Sequence, residues 1–198
     1  MMRLTGYILV AAICLPTIAL ANNIGSVAEQ QGNGGIERGR DLVGSGIGTE
    51  IQSMDAAVTT NGTMRIDFID DTRVDITQHS KLIIDEFVYD PANNIGSVSL
   101  KASLGTVRYA SGQIAKRYQQ NVKIRTPSAT IGVRGTDFVM VVDEIGGSLI
   151  TLLPSCDSSG ACYTGEITVE TDAGFVVMNQ AFQATATTTS AQPPTPPK

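Results

Sequence analysis

Polar and apolar positions alternate along most of this chain with a period of two. Met64, Ile66 and Phe68 fall on one face and Arg65 and Asp67 on the other; after Asp70-Asp71-Thr72, Val74 and Ile76 alternate with Arg73, Asp75 and Thr77. That pattern predicts a hairpin. Leu82, Ile84 and Val88 carry the alternation to Pro91. Val98, Leu100, Ala102 and Leu104 repeat it, and Gly105 is expected to turn the chain before Val107 and Tyr109. Val122 and Ile124 alternate with Lys123 and Arg125. Phe138 to Val142 is apolar enough for a strand buried on both faces. Ser148 to Leu153, Ile167 to Glu170 and Gly174 to Met178 complete the strand candidates, and only Gln113 to Asn121 suits a helix, of one or two turns. The predicted fold class is all-β, with many short strands.

Glycine and proline punctuate this pattern. Residues 22–48 are glycine-rich, with short strands expected at Ile24–Val27 and Asp41–Val43. Gly44-Ser-Gly-Ile-Gly48 reads as a glycine turn, because no Lys-Ser/Thr and no helix follow it as in a phosphate loop. The densest punctuation lies in Thr126-Pro-Ser-Ala-Thr-Ile-Gly-Val-Arg-Gly-Thr-Asp-Phe138. Pro127 lacks a ladder donor, so the strand before it is expected to stop or to lie at a sheet edge. Gly132 and Gly135 bracket Val133-Arg134 as in a tight turn. Arg134, the one charge from Thr126 to Thr136, suits a buried or semi-buried guanidinium paired with a carboxylate or capping carbonyls; the alternative is a ligand-binding arginine.

The same residues carry a resemblance. The run from Thr126 to Phe138 resembles the signature of the FecR domain family, supported by Leu82–Pro91, Gly105–Tyr109 and Phe68–Thr72, where Asp71 stands in place of the family's usual glycine. The resemblance covers roughly 24–143. It implies a β-solenoid or roll rather than the alternative two-sheet sandwich. It also makes Thr126, Pro127, Ile131, Gly132, Arg134, Gly135, Thr136 and Phe138 motif residues with a structural or partner-binding role. Family members relay a signal from an outer-membrane receptor to a cytoplasmic sigma factor; this chain resembles the periplasmic domain alone.

Arg3, the apolar run Tyr7–Leu20 and Ala19-Leu20-Ala21 read as a cleavable signal peptide, with the mature chain starting at Asn22. The run is shorter than the ~20 residues needed to cross a bilayer, and no later segment is long and apolar enough. The destination is periplasmic or secreted. There, Cys156 and Cys162 are expected to form one disulfide. The domain is read as 22–182, with a β extension and cysteine loop at 144–182. Residues 183–198, built of Ala, Thr, Ser, Gln and Pro apart from the final Lys198, are expected to be a disordered tail. One seven-residue string, Ala21–Val27, recurs letter for letter at Ala92–Val98.

Net charge is −5, unevenly laid out. Asp41 to Asp90 is acidic; Lys101, Arg108, Lys116, Arg117, Lys123, Arg125 and Arg134 form a stretch without an acid; Asp137 to Asp172 carries acids only. Pairing across neighbouring strands is the favoured reading, and a basic face for an anionic glycan or membrane surface the other. Nucleic acid is not an expected partner of an acidic chain without a recognition-helix pattern. The sequence has no G-x-S-x-G, no H-E-x-x-H and a single histidine, His79. Asp67, Asp70, Asp71 and Asp75 lack the spacing of a calcium loop. The expectation is therefore a non-catalytic module without cofactor or metal that binds a cell-envelope protein, strand addition beside Pro127 being one mode open to it; the alternative is a structural or anionic-glycan-binding envelope protein.

Overall fold

The computed structural model describes residues 23–44, 46–157 and 159–198, so the expected signal peptide lies outside the described residues. The strands are, in chain order, β1 (Gly25–Gln31), β2 (Gly34–Arg38), β3 (Asp41–Gly44), β4 (Glu50–Ile51), β5 (Asp55–Thr59), β6 (Thr63–Phe68), β7 (Arg73–Ile76), β8 (Lys81–Asp90) and β9 (Ile95–Ala110). The helix α1 (Gln113–Arg117) follows. Then come β10 (Val122–Arg125), β11 (Thr130–Arg134), β12 (Asp137–Val142), β13 (Ser148–Leu153), β14 (Ser155–Cys156), β15 (Cys162–Tyr163), β16 (Glu166–Thr171), β17 (Gly174–Met178) and β18 (Ala184–Thr187). The all-β expectation holds.

Except for the small β14–β15 ladder, these strands form one continuous, unclosed sheet of 16 strands. It divides into two layers that share β9. Layer A runs β4-β1-β6-β7-β9-β12-β13-β18, and layer B runs β3-β2-β5-β8-β9-β10-β11-β16-β17. Every ladder is antiparallel except β9 with β10. A single apolar cluster draws on both layers; Phe68 of layer A stacks on Phe87 of layer B with ring centroids 4.9 Å apart.

β9 joins the layers without the turn expected at Gly105. Its first half pairs with β8 and β10, its second half with β7 and β12. The buried positions change parity on the way, from Val98, Leu100 and Ala102 to Val107 and Tyr109. Gly105 absorbs the change at φ +87°, and a Cβ there would lie 2.1 Å from Ser80 Oγ and 2.6 Å from Ser80 Cα. β8 makes a similar adjustment: a bulge between Ile84 and Glu86 turns Phe87 inward and leaves Val88 exposed, opposite to the simple alternation.

Two other expectations change, and the recurring heptad divides between the layers. Val139 is half-buried and Val141 exposed, so β12 covers the core with one face only. The recurring heptad enters a different layer at each occurrence, Ile24 buried beside β1 and Ile95 exposed at the start of β9. The C-terminal segment is ordered. Alternation of Ala184, Thr185, Ala186 and Thr187 makes a strand that pairs with β13, its threonines buried. The chain then doubles back along the open side of β18: Lys198 exchanges backbone hydrogen bonds with Ala184, Thr195 N donates to Ala186 O, and Ser190 O accepts from Asp172 N of layer B. Composition pointed to disorder because a Pro-rich stretch cannot bury a core; lying on an existing edge requires only its carbonyls and a few donors, and its prolines end the ladder.

Gly105→Ala combines an unfavourable left-handed backbone with a backbone clash at the layer junction. It is expected to cost more than about 3 kcal/mol, read as a lower midpoint in equilibrium chemical denaturation.

Candidate functional site

The segment from Thr126 to Phe138 builds one corner of the molecule. β10 ends at Arg125, and Thr126 N closes a four-residue connection by donating to Ala129 O at 2.8 Å. Pro127 is exposed, whereas Thr126 and Ser128 are buried in a hydroxyl cluster with Ser148 and Thr187: Ser148 Oγ to Thr126 Oγ1 is 2.9 Å and Ser128 Oγ to Thr187 Oγ1 is 2.8 Å. The strand beside Pro127 is not an edge, since β10 lies between β9 and β11, and β11 between β10 and β16.

The two glycines play different parts. Gly132 sits inside β11, opposite Lys123 and Thr168, with nothing within 4 Å of a Cβ position. Gly135 alone makes the turn, at φ +60°. Between them Arg134 is exposed, its side chain 51% accessible, and it pairs across the ladder with Glu166 at 2.6 Å. The expected pairing is present and the expected burial is not, because position 134 falls on the outward parity of β11, with Ile131 and Val133 filling the inward one.

Beyond the turn the motif is a polar knot. Thr136, fully buried, donates from Oγ1 to Leu153 O, and its N–H reaches Ser111 Oγ at 3.0 Å. The Asp137 carboxylate accepts from Ser155 Oγ at 2.6 Å and Arg108 Nη2 at 3.1 Å. Phe138 is buried against Tyr109, centroids 5.5 Å apart. A second knot lies at the β6–β7 turn, where buried Asp70 accepts from Thr72 N and from Ile114 N at 3.0 Å, anchoring α1. The fully buried Tyr109 hydroxyl lies near Thr72 but outside hydrogen-bonding geometry, and burial, with Asp70 and Asp137 nearby, raises the phenol above its ordinary range.

The predicted basic stretch does not form a single face. Arg108 belongs to layer A, inside a transverse row of alternating charge: Glu29, Arg65, Asp75, Arg108 and Asp137, each in contact with the next. This row pairs the acidic and basic blocks of the sequence. Lys116 and Arg117 lie on the last turn of α1, both exposed. Apart from Arg134, paired with Glu166, the other three come together on the outer side of layer B: Lys101 is directly opposite Arg125, Lys123 is two residues before it, and Arg125 reaches Asp85 at 3.5 Å. Among the described residues Lys101, Lys116, Arg117 and Lys123 form no ion pair.

Two clefts flank Lys123 on this outer side. The larger, about 400 Å³, lies among Glu86, Ser97, Ser99, Asn121 and Arg125; the smaller, about 140 Å³, lies among Gln119, Thr130, Gly132, Thr168 and Glu170; Gln120 and Lys123 line both. The bare backbone of Gly132 forms part of the smaller floor. Sequence reasoning missed Gln119, Gln120, Ser97, Ser99 and Thr168; the outward parity of Ser97 and Ser99 on β9 and of Thr168 on β16 was the available signal, and Gln119 and Gln120, in the turn before β10, gave none. At the motif end Cys156 and Cys162 are joined by a disulfide across β14–β15, in an exposed hairpin whose neighbour Gly165 lies against the Gly135 turn. The single histidine, His79, sits in an exposed turn at φ +55°. Among the described residues no group of three or more His, Cys, Asp or Glu side chains could hold a metal ion, and no helix is long and apolar enough to cross a membrane.

The outer side of layer B thus combines two polar clefts with charged strands on an all-β scaffold. The family described as FecR protein matches residues 55–153, half of the 198-residue chain. The chain belongs to the FecR family, whose members are regulatory, non-enzymatic proteins. The match begins at the first residue of β5 and ends at the last residue of β13, so β1–β4 and β14–β18 flank the family core. No curated protein matches the chain. Two crystal structures of a "putative anti-sigma factor" from Parabacteroides distasonis ATCC 8503, at 2.50 and 1.65 Å resolution, align with TM-scores of 0.48 and 0.47 and identities of 13% and 14%. Each alignment covers 65% of this chain and 52% of the other, so the chain spans about half the length of those structures.

Two predictions follow from the geometry of the motif. Asp137→Ala strands Ser155 and Arg108 and is expected to cost about 2–3 kcal/mol, whereas Arg134→Ala, removing an exposed pair, is expected to cost below about 1 kcal/mol; paired denaturation curves check the contrast. Because Tyr109 has a higher phenol pKa folded than unfolded, its contribution is complete below the ordinary phenol pKa of about 10 and is lost as pH rises above it. Unfolding free energy should therefore fall less steeply above pH ~10 in Tyr109→Phe than in the parent.

Proposed function

We propose that this chain is a non-catalytic sensory or interaction module of the cell envelope, periplasmic or secreted, that binds a protein partner through the outer side of layer B. The observation that carries this reading is the grouping of Lys101, Lys123 and Arg125 beside two polar clefts on the outer side of layer B, whereas Arg65 and Arg108 on layer A are held in a row with carboxylates. Membership of the FecR family supports the regulatory character. The signal-peptide pattern at 1–21 and the disulfide are compatible with an oxidising destination outside the cytoplasm. Mixed lining chemistry, Glu86 and Glu170 beside Lys123 and Arg125, suits a partner surface bearing both charge signs better than a uniform polyanion.

A second reading, an anionic-glycan or structural envelope protein, draws on the unpaired Lys101 and Lys123. The two separate by salt: glycan capture weakens steeply between low and physiological ionic strength, and capture of a mixed-charge protein does so less. The deciding experiment is crosslinking of the tagged protein in envelope extracts of its host, read by mass spectrometry, with a Lys101→Glu/Lys123→Glu variant alongside. One dominant protein, captured roughly tenfold less by the variant at unchanged thermal midpoint, is the expected outcome. Glycan alone, or capture indifferent to the variant, overturns the layer-B reading.

A further inference from the structure

The continuous sheet has four free ends, and three are blunted. β4 is two residues long. The open side of β18 is occupied by the Pro-rich segment ending at Lys198. β3 is four residues long, starts with Asp41 and pairs through a bulge. Natural sheets use these devices to keep an edge from pairing with another chain.

β17 has none of them. Gly174-Phe-Val-Val-Met178 contains no charge, no proline and no register shift against β16. Among the described residues, no backbone hydrogen bond from any segment other than β16 reaches Phe175 to Met178. Its outward side chains, Phe175 and Val177, are 67% and 40% exposed, while Met178 is fully buried and Val176 packs on the core. We propose that two copies of the chain join antiparallel along β17, making layer B continuous across the pair.

The strand reads well against itself. A two-fold axis through Val176 puts Phe175 of one copy opposite Val177 of the other, twice, the aromatic–β-branched pairing that favours antiparallel strands. No charge meets its like within the seam. The chain is acidic overall, but the nearest carboxylate on that surface, Glu170, lies on β16 opposite Phe175. The two Glu170 side chains would be separated by three strand spacings, about 14 Å, beyond the screening length of about 8 Å at physiological ionic strength. A second copy is therefore tolerated despite the net charge, and the symmetry sets both layer-B clefts on the same side of the assembly. One strand per copy falls below the area of a standard stable interface, so the dissociation constant is expected between roughly 10 μM and 1 mM.

Sedimentation equilibrium of the purified, cell-processed protein up to about 1 mM tests this, together with Phe175→Lys and Val177→Lys; both sites are exposed, so the fold is expected to survive, checked by circular dichroism. The expected result is a mass rising from one chain to two, with at least a tenfold weaker dissociation constant in either variant, and a disulfide-linked dimer when Phe175→Cys and Val177→Cys chains are mixed and oxidised. A single-chain mass throughout, a dimer indifferent to both lysines, or no crosslink between the cysteine variants overturns it. Should the lysine variants misfold, the cysteine crosslink alone decides.

Discussion

The structure depends on one strand being able to serve two layers. β9 is the partner of four other strands, and its passage from one layer to the other requires a residue with no Cβ where Ser80 closes in. Ser80 is buried at that crossing, its Oγ accepting from Thr106 N, so the same few atoms fix the bend and satisfy the backbone exposed by it. With the layers held at β9, apolar side chains of both can converge on one core. Without that junction each layer would be an open sheet with an uncovered apolar face.

Polar groups then hold the corners that hydrophobic burial leaves unspecified. Thr136 and Asp137 tie the signature turn to Ser111 and Ser155, and Asp70 ties the β6–β7 turn to α1. These are buried, hydrogen-bonded polar groups, so removing one partner costs more than the bond itself contributes. The row from Glu29 to Arg108 is of another kind: its members are partly solvated, so each pair adds little to stability, but alternation in sign across neighbouring strands penalises a slipped register.

The family core and its flanks divide the labour. β5 to β13 contain the shared strand, the Asp70 knot, Thr136 and Asp137 of the other knot, and most of the lining of the layer-B clefts, to which β16 adds Thr168 and Glu170. The flanking strands extend layer A by β1, β4 and β18, and layer B by β2, β3, β16 and β17. In the core alone β11 would end layer B, and an edge near Pro127 would follow; β16 and β17 cover that edge and move the free end to an uncharged strand. The layer-B clefts and the free β17 edge thus lie on one layer while their residues come from different parts of the chain.

Alternation in the sequence was sufficient for the strands themselves, since period-2 burial is a local consequence of backbone pleat: the β6–β7 hairpin, β10, β13 and β16 lie where polarity puts them. The short helix, the cysteine pair and the glycine at the signature turn were legible for the same reason. What depended on neighbours was not. A bulge in β8 and the bend in β9 shift parity by one residue, which only the partner strands dictate; Arg134 faces solvent because Ile131 and Val133 claim the core; Arg108 separates from Lys101, Lys123 and Arg125 because β9 belongs to both layers. The C-terminal stretch has too little apolar surface to fold alone, yet it orders against an edge that already exists. By itself the sequence determined which segments become strands, because pleat and side-chain chemistry act over a few residues; the tertiary structure decided which strands meet, which edges stay open and which charges share a surface, because those outcomes are set by pairing between residues far apart in the chain.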